Sequence, residues 1–265
     1  MFVDERQLKT FKEKLGFDKI VETPRDAGVV ANWDLLEKRL PSPEKGWELF
    51  TADINSARSG VVTRDWTFHK EDSALTVKVH VSSTGTDAVR KRLVSLATTT
   101  SLPFIPYIRG PEQLGQLSVW TQSRDPRRII WVFHNVCVEI DKEDSVLPLA
   151  PLARIIQEFM ERHVSPHVPQ HLPGMEKVTV SKNPLKVGEE VLVAVHPERT
   201  SGELKGLKVE IFAPFEALDL MEQSATASRF QALHPGKPTV EVSVTDLESL
   251  LRSRAQVQVE IQANK

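Results

Sequence analysis

The sequence predicts an α+β domain, an antiparallel sheet with helices on one face, followed by an all-β sandwich. Three observations lead there. Apolar residues recur at helical spacing near the start, then switch to period two from about residue 60. Helical spacing returns twice among those strands. Beyond the proline-rich stretch "SPHVPQHLPG", nearly every apolar segment alternates. The expected boundaries are 1–165 for the first domain, 166–174 for a linker and 175–265 for the sandwich.

Leu8, Phe11 and Leu15 mark an opening helix over residues 4–15, capped by Asp4 and stopped by Gly16. "WDLLEKRL" predicts a short second helix ended by Pro41 and Pro43, and the segment up to residue 60 resists assignment. "GVVTRDWTFH" and "ALTVKVHVSS" predict paired strands around "KEDS". In the second of them Leu75, Val77, Val79 and Val81 share one face, with Thr76, Lys78, His80 and Ser82 on the other. "DAVRKRLVSLATTT" resumes helical spacing through Val89, Leu93 and Leu96, and three prolines make "SLPFIPYIRGP" irregular. "QLSVWTQ", "RIIWVFH" and "VCVEID" predict further strands, with Asn135 best suited to a left-handed turn between the last two. Residues 147–163 predict an amphipathic helix, Leu152, Ile155, Ile156 and Phe159 inward and Arg154, Glu158 and Arg162 outward.

Past the linker, "VTVSKNPLKVGEEVLVAV", "FQALHPGKPTVEVSV" and a closing "AQVQVEIQ" space strands about ten residues apart. A first strand runs through a proline and "VGE" into the second, and a late "PG" turn precedes the final pair. In these features residues 175–265 resemble the immunoglobulin-like modules of bacterial surface and envelope proteins. That resemblance implies an immunoglobulin-like sandwich. Two departures stand out: the cysteine pair and strand-C tryptophan are missing, and "FEALDLMEQSATAS" looks helical or loop-like. Residues 1–165 show no comparable family likeness, and the two parts share no repeat.

Composition narrows the function. The 34 basic and 36 acidic residues nearly cancel, which argues against nucleic acid as a partner. No apolar run reaches the roughly 20 residues of a membrane-spanning helix, so no membrane insertion is expected. "MFVDERQLKTFKEKLGF" carries charge from position 4 and does not read as a secretory signal, which leaves a cytosolic protein and a processed mature form both open. Cys137 is the single cysteine, which excludes an intrachain disulfide and a thiolate-rich zinc site; "NVCVEI" places it in a strand as a small buried hydrophobe.

Candidate chemistry is sparse. His163, His167 and His171 stand four apart and on one helix could share a metal, but Pro166 and Pro169 break that helix. An extended linker then separates successive histidines by about 12 Å. No metal or other cofactor is expected. "SSTGTD" has the composition of a phosphate-binding turn without the lysine of a P-loop. His69, His80 and His134 lie on or beside strands of one sheet, and with Asp65 or Asp141 they could do acid–base work. Trp66, Trp120 and Trp131 form either core or, if they face water, a platform for a glycan, peptide or protein. The absence of zincin, nucleotide-loop, dinucleotide and nucleophile-elbow motifs favours a non-enzymatic binding or assembly protein. It would carry a recognition domain and a sandwich spacer or docking part, in an extracytoplasmic, periplasmic or cell-surface setting. The alternatives are a hydrolase built on His69, His80 and His134, and an oligomer-forming subunit that pairs through a sheet edge.

Overall fold

Alternation of β-branched and aromatic residues sets the first unit. The computed structural model describes residues 9, 13–15, 27–41, 45–56, 61–83, 89, 91–93, 95, 107–110, 114–121, 125–143, 147–168, 174–198 and 206–264. The opening helix, "SSTGTD" and His171 therefore lie largely or wholly outside the described residues. By backbone proximity the chain divides into two compact units: Met1–Pro169 with Glu248–Leu250, and Gln170–Leu247 with Leu251–Lys265.

In the first unit β2 (Glu48–Ser56), β3 (Val61–Lys70), β4 (Ser73–Ser82), β5 (Tyr107–Arg109), β6 (Leu117–Thr121), β7 (Arg128–Phe133) and β8 (Val136–Glu143) form one antiparallel sheet. Its order is β2-β3-β4-β8-β7-β6-β5. A short pair, β1 (Gly28–Val29) with β9 (Val164–Ser165), stands apart from it. Among the described residues two helices are complete, α1 (Asp34–Glu37) and α2 (Leu149–Glu161).

Pairing fixes which residues share a face. Val77 lies opposite Trp66 and Ile140, and Val79 opposite Arg64 and Val138, so these side chains point one way. Helix α2 covers that side: Trp131 Nε1 donates to Gln157 Oε1 at 3.0 Å, and Leu152, Ile156 and Phe159 are buried. Helix α1 joins it there, where Glu37 Oε2 accepts from Trp66 Nε1 at 2.8 Å.

On the other side, helical Leu15, Val89 and Leu93 share a core cluster with Val119, Ile130, Val132 and Cys137. Helices therefore flank both faces, not one as the sequence predicts. The unbroken apolar run "IIWVF" of β7 is the physical reason, because a strand apolar on both parities needs cover on both sides. Two smaller differences follow the same logic. Ile155 is 40% exposed and does not belong to the buried stripe. "YIR" within the proline-rich "SLPFIPYIRGP" forms β5 at the edge of the sheet.

The β7–β8 hairpin turns through His134 and Asn135, with the left-handed backbone at His134, φ 52°, and not at Asn135. Asn135 is occupied elsewhere. Its Oδ1 accepts from Val29 N at 2.7 Å, and its Nδ2 donates to Val29 O at 3.3 Å and to Ser82 O at 3.1 Å. One buried amide thus ties β1 and β4 to the hairpin. Gly28 is required beside it, since a Cβ there would sit 2.7 Å from Asn135 Oδ1 and 2.6 Å from Val168 Cγ2.

In the second unit β10 (Met175–Val180), β12 (Glu190–Pro197), β15 (Ala227–Ala232) and β14 (Leu218–Gln223) form one sheet in that order. β13 (Leu207–Phe212), β16 (Thr239–Asp246) and β17 (Arg252–Gln258) form another, and β11 (Leu185–Lys186) runs parallel to β18 (Ile261–Gln262). Val191, Val193 and Val195 alternate into a core with Phe230, Val240, Val242 and Val244. "FEALDLMEQSATAS" contains the strand β14 and the start of β15, where the sequence suggests helix or loop. The alternation is masked because β14 is an edge strand with a register shift between Leu220 and Glu222.

Replacing Asn135 with alanine is expected to lower unfolding free energy by about 3 kcal/mol, because three buried backbone groups lose their partner. Urea denaturation checks this; a loss under about 1 kcal/mol would show that the amide does not hold the hairpin.

Candidate functional site

The polar parity of β3, β4 and β8 builds the site. Across these strands Thr67, Thr76 and Asp141 stand in register, as do Asp65, Lys78 and Glu139, and Thr63, His80 and Cys137. Toward the hairpin end the row is His69, Ala74 and Glu143. A groove of about 330 Å³ opens over them, lined by Thr67, His69, Ala74, Thr76, Lys78, Glu139, Asp141 and Glu143. At its end the Phe50 ring, 71% exposed, lies 4.8 Å from that of His69.

Charges in the groove are partly matched. Lys78 Nζ is 3.6 Å from Asp65 Oδ2, and Arg128 on β7 is 3.7 Å from Asp141 Oδ2 and hydrogen-bonded to Glu139 Oε1. Burial raises the Asp141 carboxyl above the usual range, against the pull of Arg128 and with added repulsion from Glu143. An anion here is held by one guanidinium and crowded by a like charge, a setting that favours hydrogen-bond donors from a ligand.

The three sheet histidines do not converge. His69 pairs with Ala74, six residues along β4 from His80, a separation of about 20 Å at the strand rise. His134 sits in the hairpin turn, its ring edge-on to Phe133 at 4.5 Å, and burial lowers its pKa. Only His69 lines the groove. His80 is fully enclosed, its Nδ1 2.7 Å from Thr63 Oγ1 and its Nε2 3.8 Å from Glu139 Oε2.

Hydroxyl, imidazole and carboxylate thus follow in the order of a hydrolytic triad. The chemistry does not follow. Burial first, then Arg92 and Lys78, pull the His80 pKa from 6.5 down to about 3, far below what a general base needs near neutral pH. Cys137 is no better placed: burial pushes its thiol up to about 12.

The tryptophans do not make a platform. Trp66 and Trp131 are wholly buried beneath α1 and α2, and Trp120 is half-buried, with Gly110 packed directly against its indole nitrogen. His163 caps α2, its Nδ1 donating to Phe159 O at 2.7 Å, while His167 is exposed. Among the described residues no three of His, Cys, Asp and Glu are grouped as metal ligands. No described helix is long and apolar enough to cross a membrane.

Sequence reasoning placed Thr76, Lys78 and His80 on a polar face but missed Glu139, Glu143 and Arg128. Period-two spacing of Cys137, Glu139, Asp141 and Glu143 carried the signal for the β8 side.

His80 also ties stability to pH. Its folded pKa lies below its unfolded value, so the unfolded chain binds the extra proton between about pH 6.5 and 3. This contribution is complete above pH 6.5 and is lost as pH falls toward 3. Over that window wild type is expected to lose about 1 kcal/mol per pH unit more than His80→Gln. Urea midpoints at pH 7, 5.5 and 4.5 measure the difference; parallel slopes would contradict it.

Among family models and curated proteins, none matches this chain.

Proposed function

We propose a non-enzymatic binding or assembly protein whose groove on the first unit recognises a ligand, with the second unit as an immunoglobulin-like spacer or docking part. One observation carries the reading: the hydroxyl–imidazole–carboxylate row at His80 and the Cys137 thiol are shut away while hydrogen-bonding groups stand open. His80 is enclosed and held neutral, and the Cys137 thiol is buried and protonated. Thr67, Thr76, Lys78 and Glu143 line an accessible groove without forming a nucleophile–base pair.

The immunoglobulin-like reading of the second unit draws support from strand order. β10-β12-β15-β14 and β13-β16-β17 follow the A-B-E-D and C-F-G arrangement of a constant-type domain. The placement in a bacterial envelope, extracytoplasmic, follows from that likeness and belongs to the same proposal.

The hydrolase alternative built on converging His69, His80 and His134 does not fit the separation of His69 from His80, which leaves His69 with the groove carboxylates as its remaining form. Chromogenic ester, phosphate and glycoside substrates and a fluorogenic peptide are expected to show no turnover above buffer. Turnover by wild type that His69→Gln or Asp141→Asn abolishes would replace binding with catalysis.

A further inference from the structure

We infer that the groove takes a neutral sugar unit of a glycan, its hydroxyls bound by the Thr67, Thr76, Lys78, Asp141 and Glu143 side chains and one face of its ring laid on Phe50. This rests on the binding reading above and names its ligand class.

The hydrogen-bonding inventory is mixed. Asp141 and Glu143 can only accept, Lys78 can only donate, and the threonine hydroxyls do both. No described residue hydrogen-bonds or ion-pairs with the side chains of Thr67, Thr76 or Glu143, so their capacity is open to a ligand. Thr67, Thr76 and Asp141 stand side by side across three strands, at steps of about 5 Å. A partner must therefore give and receive hydrogen bonds at several neighbouring points. Adjacent hydroxyls, each with one donor and two acceptor sites, do this; a carboxylate or an ammonium does only half.

Charge and shape narrow the class. Three carboxylates line the groove against Lys78, and Arg128 engages Glu139 and Asp141 but leaves Glu143 to repel an anionic sugar. A bare cation would satisfy the carboxylates but would meet Lys78 at one end of the floor and leave both threonine hydroxyls without an acceptor. A hydroxylated ring meets neither difficulty, and donation to carboxylates makes its hydrogen bonds charge-assisted. The exposed Phe50 ring, backed by His69, offers a flat apolar face where the polar lining ends. A sugar presents just such a pair of surfaces, hydroxyls at the rim and C–H groups on the face. About 330 Å³ is at the small end for small-molecule sites and admits one or two rings.

The test uses isotope-labelled full-length protein titrated with maltotriose, cellotriose and diacetylchitobiose, with trigalacturonate and spermidine as charged probes. At least one neutral sugar is expected to move the amides of Thr67, His69, Thr76 and Glu143, and trigalacturonate is not. Phe50→Ala should raise the Kd of that sugar about two- to tenfold. Phe50 is exposed, so this variant should melt with wild type. Thr76→Val should weaken binding to a similar extent, about two- to tenfold.

If none of the neutral sugars moves these amides, or they move residues elsewhere, or Phe50→Ala binds as wild type does, the sugar inference is overturned. Spermidine moving the groove amides in their place would overturn the sugar yet keep the groove as a binding site. Silence from all five probes would overturn both.

Discussion

The register of β4 between β3 and β8 governs the first unit. Val77 must meet Trp66 on one side and Ile140 on the other, and Val79 must meet Arg64 and Val138. A slip of one residue would turn Leu75 and Val77 into the open groove, at a cost of about 2 kcal/mol for each side chain. The same slip would drive Thr76, Lys78 and His80 beneath α2. The groove thus follows from the burial that locks the sheet: its polar lining is the parity left over once the apolar one is covered.

That constraint also sets which titratable groups are enclosed and which stand open. Where helical Val89 and Leu93 pack with Cys137, the polar parity is sealed, and His80 is trapped beside it as a neutral imidazole. Farther along β3, β4 and β8 the floor opens, and the polar residues there are two threonines, three carboxylates, Lys78 and His69. Arg128 links the two zones by engaging Glu139 and Asp141 from β7. A reactive group would have to combine access with a poised pKa. Here His80 and Cys137 are enclosed, while His69 and the carboxylates stand in the open groove.

Where apolar period was strong, the fold was legible in the sequence. The β3–β4 hairpin, β6 to β8, α2 and most strands of the second unit follow directly from period two or helical spacing. β2 was not readable because it lies at the sheet edge, with a register shift between Leu49 and Thr51 and little buried surface to impose alternation. β14 failed for the same reason. Asn135 misled because its tolerance of left-handed backbone is a local property, whereas its role is set by Val29 and Ser82, far away in the chain. The site was half legible: alternation placed Lys78 and Asp141 on polar faces, but only the β4–β8 pairing brings them together. Histidine count pointed to the wrong cluster, since shared parity says nothing about distance along a strand.

The most direct measurement is thiol labelling of Thr76→Cys and Val77→Cys in the native protein. Cys137, with its thiol pushed up to about 12, should remain silent as background. Labelling should be rapid at position 76 and, at position 77, only as fast as the protein unfolds. Equal rates at the two positions, or the faster rate at 77, would contradict the register on which the groove depends.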